Sequence, residues 1–178
     1  MDIRETDVLL VVDMQNVYLP GQRWACDRIQ EAIKYIVKLV ETFPKSQVVY
    51  TKYIASKDPE GVWAEYNRMN ADVNADHWLN EYVDELKSYL NRDNTYVKSQ
   101  YSCCENPELR ERLRRCERIF IAGVVAECCV LSTIYDLIDM GKKVVYLSEG
   151  IAGETREKEE MVKNILSGLS PLHLIFQS

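Results

Sequence analysis

Two adjacent cysteines, Cys128 and Cys129, sit in "IAGVVAECCVLST" (121–133), where an apolar run gives way to a helical pattern. A thiol on the first turn of a helix faces the positive end of the macrodipole, which lowers its pKa from about 8.5 and makes it more nucleophilic. Two residues of complementary chemistry also end apolar runs: Asp13 closes "DVLLVVD" (7–13), and Lys98 lies near the end of "NTYVKS" (94–99). A lysine beside a thiol lowers its pKa further, and a carboxylate within reach takes its proton as general base. The three types together suit covalent catalysis. Singly, each has a plainer reading: the Asp caps a turn, the Lys lies on the surface, and the Cys is a small buried hydrophobe.

The elements that must position these residues follow from periodicity. Continuous apolar runs at 7–13, 46–53, 94–99, 118–124, 142–150 and 172–176 read as strands buried on both faces. Between them, Ile29, Ile33, Ile36, Val37 and Val40 recur at three- and four-residue spacing, which predicts a helix within 24–43. Asn106 and Pro107 predict a capped helix over 106–115. Further helices are predicted over 127–140, ended by Gly141, and over 154–168. The stretch 57–92 predicts a loop carrying Trp63 and Tyr66, then a helix from about Trp78 to Leu90.

Strands alternating with helices predict an α/β fold: a single-domain three-layer αβα sandwich over residues 1–178, with a doubly wound six-stranded parallel sheet. In such a sheet the ligand site lies at the carboxyl ends of the strands, where Asp13, Lys98 and "GVVAEC" would meet.

Composition excludes other classes. A net charge of −6 gives no basic footprint for nucleic acid, and the arginines of "ELRERLRRCER" alternate with acids at helical spacing as a solvated face. The apolar run Val8 to Val12 is too short for export or for a membrane span, which predicts a cytoplasmic protein with no membrane partner. The pairs Cys103-Cys104 and Cys128-Cys129 fit neither a disulfide framework nor C-x-x-C zinc spacing. His77 and His173 lie far from both pairs, so the cysteines read as reduced thiols.

Four segments in order resemble the isochorismatase-like (cysteine hydrolase) superfamily: "LLVVDMQNVY", "YVKSQYS", "AGVVAECCVLST" and "DMGKKVVYLSEGIAG". The resemblance spans nearly the whole chain, with Val17 and Tyr18 in place of the family's Asp and Phe. It implies a catalytic Asp-Lys-Cys triad on Asp13, Lys98 and Cys129, the cysteine six residues after Gly123, followed by Val130 and Thr133. Cys128 would then pack or line the pocket, with a role as redox partner the other reading. The resemblance also implies a non-proline cis peptide between Val124 and Val125, and an oxyanion hole of N–H groups from Val125 or Ala126 and from Cys129. Ala126 stands where many members carry Thr.

The implied activity is hydrolysis of a C–N bond (amide, carbamoyl or ureido) in a small-molecule substrate through a thioester. The alternatives are a vinyl-ether hydrolase with Asp13 as general acid, or a non-catalytic binding protein on the same fold. Nicotinamidases of the family hold a metal through a D-x-H pair and a second histidine after strand two. "YTKYIASKDPEGVWAEYN" contains no histidine, which predicts no metal and no cofactor. Tyr18, Trp63, Tyr66, Arg68 and Tyr101 are expected to bind substrate, with Asn67 and Cys103 beside them and Arg68 pairing a substrate carboxylate. The plainer reading has Trp63 and Tyr66 packing against the sheet or a neighbouring subunit, and Trp24 at an interface. By resemblance the chain would form a homodimer or homotetramer.

Overall fold

A computed structural model describes residues 2–178. Six strands form one parallel sheet: β1 (Asp7–Val12), β2 (Val48–Tyr53), β3 (Thr95–Lys98), β4 (Arg118–Gly123), β5 (Lys143–Ile151) and β6 (Leu174–Gln177). Their order is β3-β2-β1-β4-β5-β6. The chain therefore winds outward from β1 on one side and from β4 on the other, and the direction reverses between these two central strands. A crevice opens at such a switch point, beyond the carboxyl ends of the strands.

Side-chain alternation along β1 explains the layers. Leu9 and Val11 join one core with Ile29, Ile33 and Ile36 of α1 (Ile29–Thr42). Val8, Leu10 and Val12 join another core, on the opposite face. That second core contains Leu109 and Leu113 of α4 (Pro107–Arg114), Ile134 and Leu137 of α5 (Leu131–Asp139), and Val162 and Leu166 of α6 (Arg156–Ser167). All six residues of β1 are buried. Each fully buried aliphatic side chain contributes about 1.5–3 kcal/mol, and β1 is apolar from Val8 to Val12, with Asp7 at its start paired to Arg118.

The expected strands and sheet are present, and two segments differ from expectation. Trp63 and Tyr66 lie on a helix, α2 (Val62–Met69), followed by α3 (Ala71–Ala75). The predicted helix from Trp78 to Leu90 is instead a run of turns with one 3-10 segment, Asp84–Tyr89. The cause is competition for main-chain groups. Asn16 N–H donates to the Glu81 carbonyl (2.9 Å), Val17 N–H to Leu79 (3.0 Å), and Val83 N–H to Met14 (3.0 Å). These bonds tie 79–83 to the segment after β1 and leave no i→i−4 ladder there.

The close approach of β1 and β4 depends on Gly123. Its φ is +118°, and a Cβ there would lie 2.1 Å from the Val12 carbonyl oxygen. Gly123→Ala combines a left-handed backbone with a clash against main chain, a cost on the order of 4 kcal/mol. Thermal denaturation should show a fall in Tm of about 10 °C or loss of soluble protein. An unchanged Tm would mean the two strands separate more easily than this contact implies.

Candidate active site

The residue after β1 is Asp13, wholly buried and held at φ +50°. Only a few per cent of non-glycine residues take this conformation, and surrounding contacts must enforce it. Thr51, in the middle of β2, supplies them. Its hydroxyl donates to Asp13 Oδ1 at 2.6 Å and accepts from the Asp13 N–H at 3.2 Å. Oδ1 is thereby occupied. Oδ2 is buried with no aligned hydrogen bond among the described residues, and it faces the Lys98 ammonium at 2.8 Å.

Lys98 is the last residue of β3, in register with Tyr53 of β2. Its Nζ donates to the Gln100 carbonyl at 2.7 Å and to Cys129 Sγ at 3.3 Å. It also lies 5.3 Å from the centre of the Tyr53 ring. Burial works against the ammonium, but the Asp13 carboxylate and the Cys129 sulfur outweigh it and raise its pKa above the ordinary lysine value. Asp13, Lys98 and Cys129, from three separate segments, thus meet at one point.

Cys129 sits in a π-turn, Ala126–Val130, that leads into α5. The peptide between Val124 and Val125 is cis, at the expected position. The expectation of a lowered thiol pKa is not met. Burial, and then the Asp13 carboxylate, push Cys129 up to about 12 against the opposing pull of Lys98. The residue is 4% exposed within the turn, so loss of water outweighs the helix dipole. The resting group is a thiol whose sulfur accepts from the Lys98 ammonium. A base able to take its proton, the Asp13 carboxylate, shares the Lys98 ammonium with it.

The oxyanion donors need one correction. The Ala126 N–H is spent on the Ala152 carbonyl at 2.9 Å, because the chain after β5 runs alongside the turn. Ala126 is therefore not a donor to the cavity. The Val125 N–H meets no acceptor among the described residues, and it and the N–H of Cys129 remain as candidates.

Above Cys129 opens a cavity of about 280 Å³. Tyr18, Tyr66 and Tyr101 line it as expected, as do Cys128 and the unpredicted Tyr53. Trp24 lines the cavity too, 6.1 Å from the rings of both Tyr18 and Tyr53. Trp63 stands behind this wall, edge-on to Tyr66 at 5.3 Å and to Tyr101 at 5.1 Å. Burial raises the pKa of the phenols, Tyr53 to about 12, so the walls are neutral. Arg68 is not in the site: it is exposed on α2 and paired with Glu65 one turn earlier. Cys103 is buried beneath, its N–H on the Thr133 hydroxyl at 3.1 Å.

Arg23, Glu127, Glu154 and Lys158 form the rim, and sequence reasoning missed all four. Tyr53 was within reach of it, since it ends β2 as Lys98 ends β3. Thr51 gave no such signal. All six cysteines are free thiols. Among the described residues no group of three or more His, Cys, Asp or Glu is placed to hold a metal ion, and no helix is long and apolar enough to cross a membrane. The His77 side chain is 93% exposed.

The isochorismatase domain family model matches residues 7–169. No curated protein matches the chain. Among solved structures, a cysteine hydrolase from Pseudomonas syringae pv. phaseolicola 1448A is similar with a TM-score of 0.76 and 21% identity, over 90% of this chain and 84% of that one. A pyrazinamidase of Pyrococcus horikoshii in complex with zinc is similar at 0.75 and 22% identity, over 97% and 99%. The MAR1 ribonuclease from Caenorhabditis elegans is similar at 0.69 and 19%, over 94% and 76%. At these identities the likeness is one of fold.

Two outcomes test the geometry without a substrate. Thr51→Val strands a buried carboxylate oxygen and an N–H, and chemical denaturation should show a loss of about 1–3 kcal/mol that Thr51→Ser largely avoids. Equal losses in both variants would assign the effect to packing. Asp13→Asn removes a cause that raises the Cys129 pKa and leaves Lys98, which lowers it. Iodoacetamide at pH 7.5 should then alkylate Cys129 faster than in the native chain, as read by mass spectrometry. A slower rate would contradict the coupling.

Proposed function

The chain belongs to the isochorismatase family, and from that premise we propose that it is a cysteine-dependent hydrolase of a C–N bond in a small molecule. The bond is of amide, carbamoyl or ureido type. One observation carries the reading: Lys98 Nζ lies 2.8 Å from Asp13 Oδ2 and 3.3 Å from Cys129 Sγ, at the floor of the cavity. A thiol, a base and a fixed cation within one buried contact are the parts that thioester chemistry needs.

The steps follow from these groups. Asp13 Oδ2, the oxygen that Thr51 leaves open, takes the thiol proton as substrate arrives. Lys98 stabilises the thiolate and keeps the carboxylate in place. The sulfur attacks the carbonyl carbon, and the N–H groups of Val125 and Cys129 receive the oxyanion. Asp13 then returns its proton to the departing nitrogen, which leaves as ammonia or an amine. Water enters, Asp13 removes its proton, and the thioester is hydrolysed to the acid with the thiol restored.

Cys128 shares the cavity wall, whereas the Lys98 ammonium donates to Cys129. Burial raises the pKa of both thiols, and what separates them is the Lys98 ammonium on the Cys129 sulfur, so Cys128 is a lining thiol and not a second nucleophile. Ammonia release from a panel of small amides should fall by at least 10³-fold in Cys129→Ala. Cys128→Ala should keep more than about a third of native turnover. The reverse pattern would move the nucleophile by one residue, and turnover surviving both changes would remove covalent catalysis altogether.

A further inference from the structure

Building on that hydrolytic reading, the structure assigns a charge class to the substrate: we infer a small amide that bears no carboxylate, its non-reacting body uncharged or cationic. The argument rests on what each cation around the cavity already holds. Lys98 spends its ammonium on Asp13, Cys129 and the Gln100 carbonyl. Arg23 points its guanidinium at Asp72 (2.6 Å) and the Met69 carbonyl (3.3 Å), tying the 19–28 loop to the helices that bear Tyr66. Lys158 is paired with Glu154 and lies 3.9 Å from Glu127.

Among the described residues each cation on the rim is already paired with a carboxylate, and on the Lys158 side two acids face one base. Glu127 is fixed there, since its carboxylate accepts the Glu154 N–H at 3.1 Å. Arg68, the residue expected to receive a carboxylate, points elsewhere. Most of the remaining wall is neutral rings, from Tyr18, Trp24, Tyr53, Tyr66 and Tyr101. Aromatic faces attract cations and stack on uncharged planar groups, but they repel anions. An anionic substrate would have to compete with a carboxylate already paired at the rim, or lose its water against π-faces with only neutral phenol hydroxyls to replace it. A cavity of about 280 Å³ accepts a single-ring body.

Three probes of one shape test this: benzamide, 4-carbamoylbenzoate and 4-(trimethylammonio)benzamide. Their affinities are measured on the Cys129→Ala chain by quenching of tryptophan fluorescence and by calorimetry, so that binding is read without turnover. The benzoate should bind at least tenfold more weakly than benzamide, and the ammonium probe at least as tightly as benzamide. Glu154→Gln in the same background releases Lys158 and should narrow the benzoate's deficit about threefold or more. Benzoate binding equal to or tighter than benzamide overturns the inference, as does failure of all three to bind. If the binding order holds but the native chain releases ammonia from none of them, the hydrolytic reading falls and the charge class stands.

Discussion

The ion pair between Asp13 and Lys98 is the constraint around which this fold is organised. Both side chains are 0–1% exposed, and removing two charges from water costs several kcal/mol each unless geometry compensates. The compensation is distributed over three strands and two loops. Thr51 of β2 holds one carboxylate oxygen, the Gln100 carbonyl and the Tyr53 ring hold the ammonium, and the Cys129 sulfur takes its third donor. A stable protein has little use for such a pair for its own sake, since apolar residues of equal volume would serve stability as well or better. Its presence at the topological switch point agrees with a chemical role. It also explains why the thiol stays protonated at rest: the cation that would favour a thiolate is already balanced by a carboxylate.

Much of this was legible in the chain, for physical reasons that can be named. Strands buried on both faces must be apolar throughout, so β1, β2, β4 and β5 announced themselves, and their alternation with amphipathic segments implied the sheet. Residues at strand ends converge at one rim, which grouped Asp13 and Lys98 with the "GVVAEC" turn before any coordinates, and the family resemblance picked Cys129 beside it. Asn106 and Pro107 cap α4 as their types suggest, with the Asn106 side chain accepting from the Leu109 N–H.

What remained hidden depends on distant partners. The segment 78–90 carries helical periodicity, yet its main chain bonds to residues 14–17, which no local pattern reports. The thiol pKa ran opposite to expectation because burial and a carboxylate 116 residues away in sequence outweigh a helix end. Ala126 lost its place as an oxyanion donor to a carbonyl beyond β5. The rim residues come from the 19–28 loop, the π-turn, the loop before α6 and that helix's first turn, and their mutual pairing exists only once these are brought together. Thr51 reads in sequence as one more β-former, and only its two bonds to Asp13 reveal what it does.

The contact between Gly123 and Val12 also governs when the site can exist. β1 and β4 pair along their length, as in the Asp7–Arg118 bridge that joins residues 111 positions apart. Closing so long a loop is entropically slow and precedes any reward from the contacts it makes. Asp13 lies on one side of that seam and Cys129 on the other, whereas Asp13 and Lys98 are joined through β2. A nascent chain that has paired only β1, β2 and β3 therefore holds base and cation with no nucleophile between them. The reactive centre is completed by the longest-range step of assembly, so a partly folded chain carries its thiol apart from the groups that would activate it.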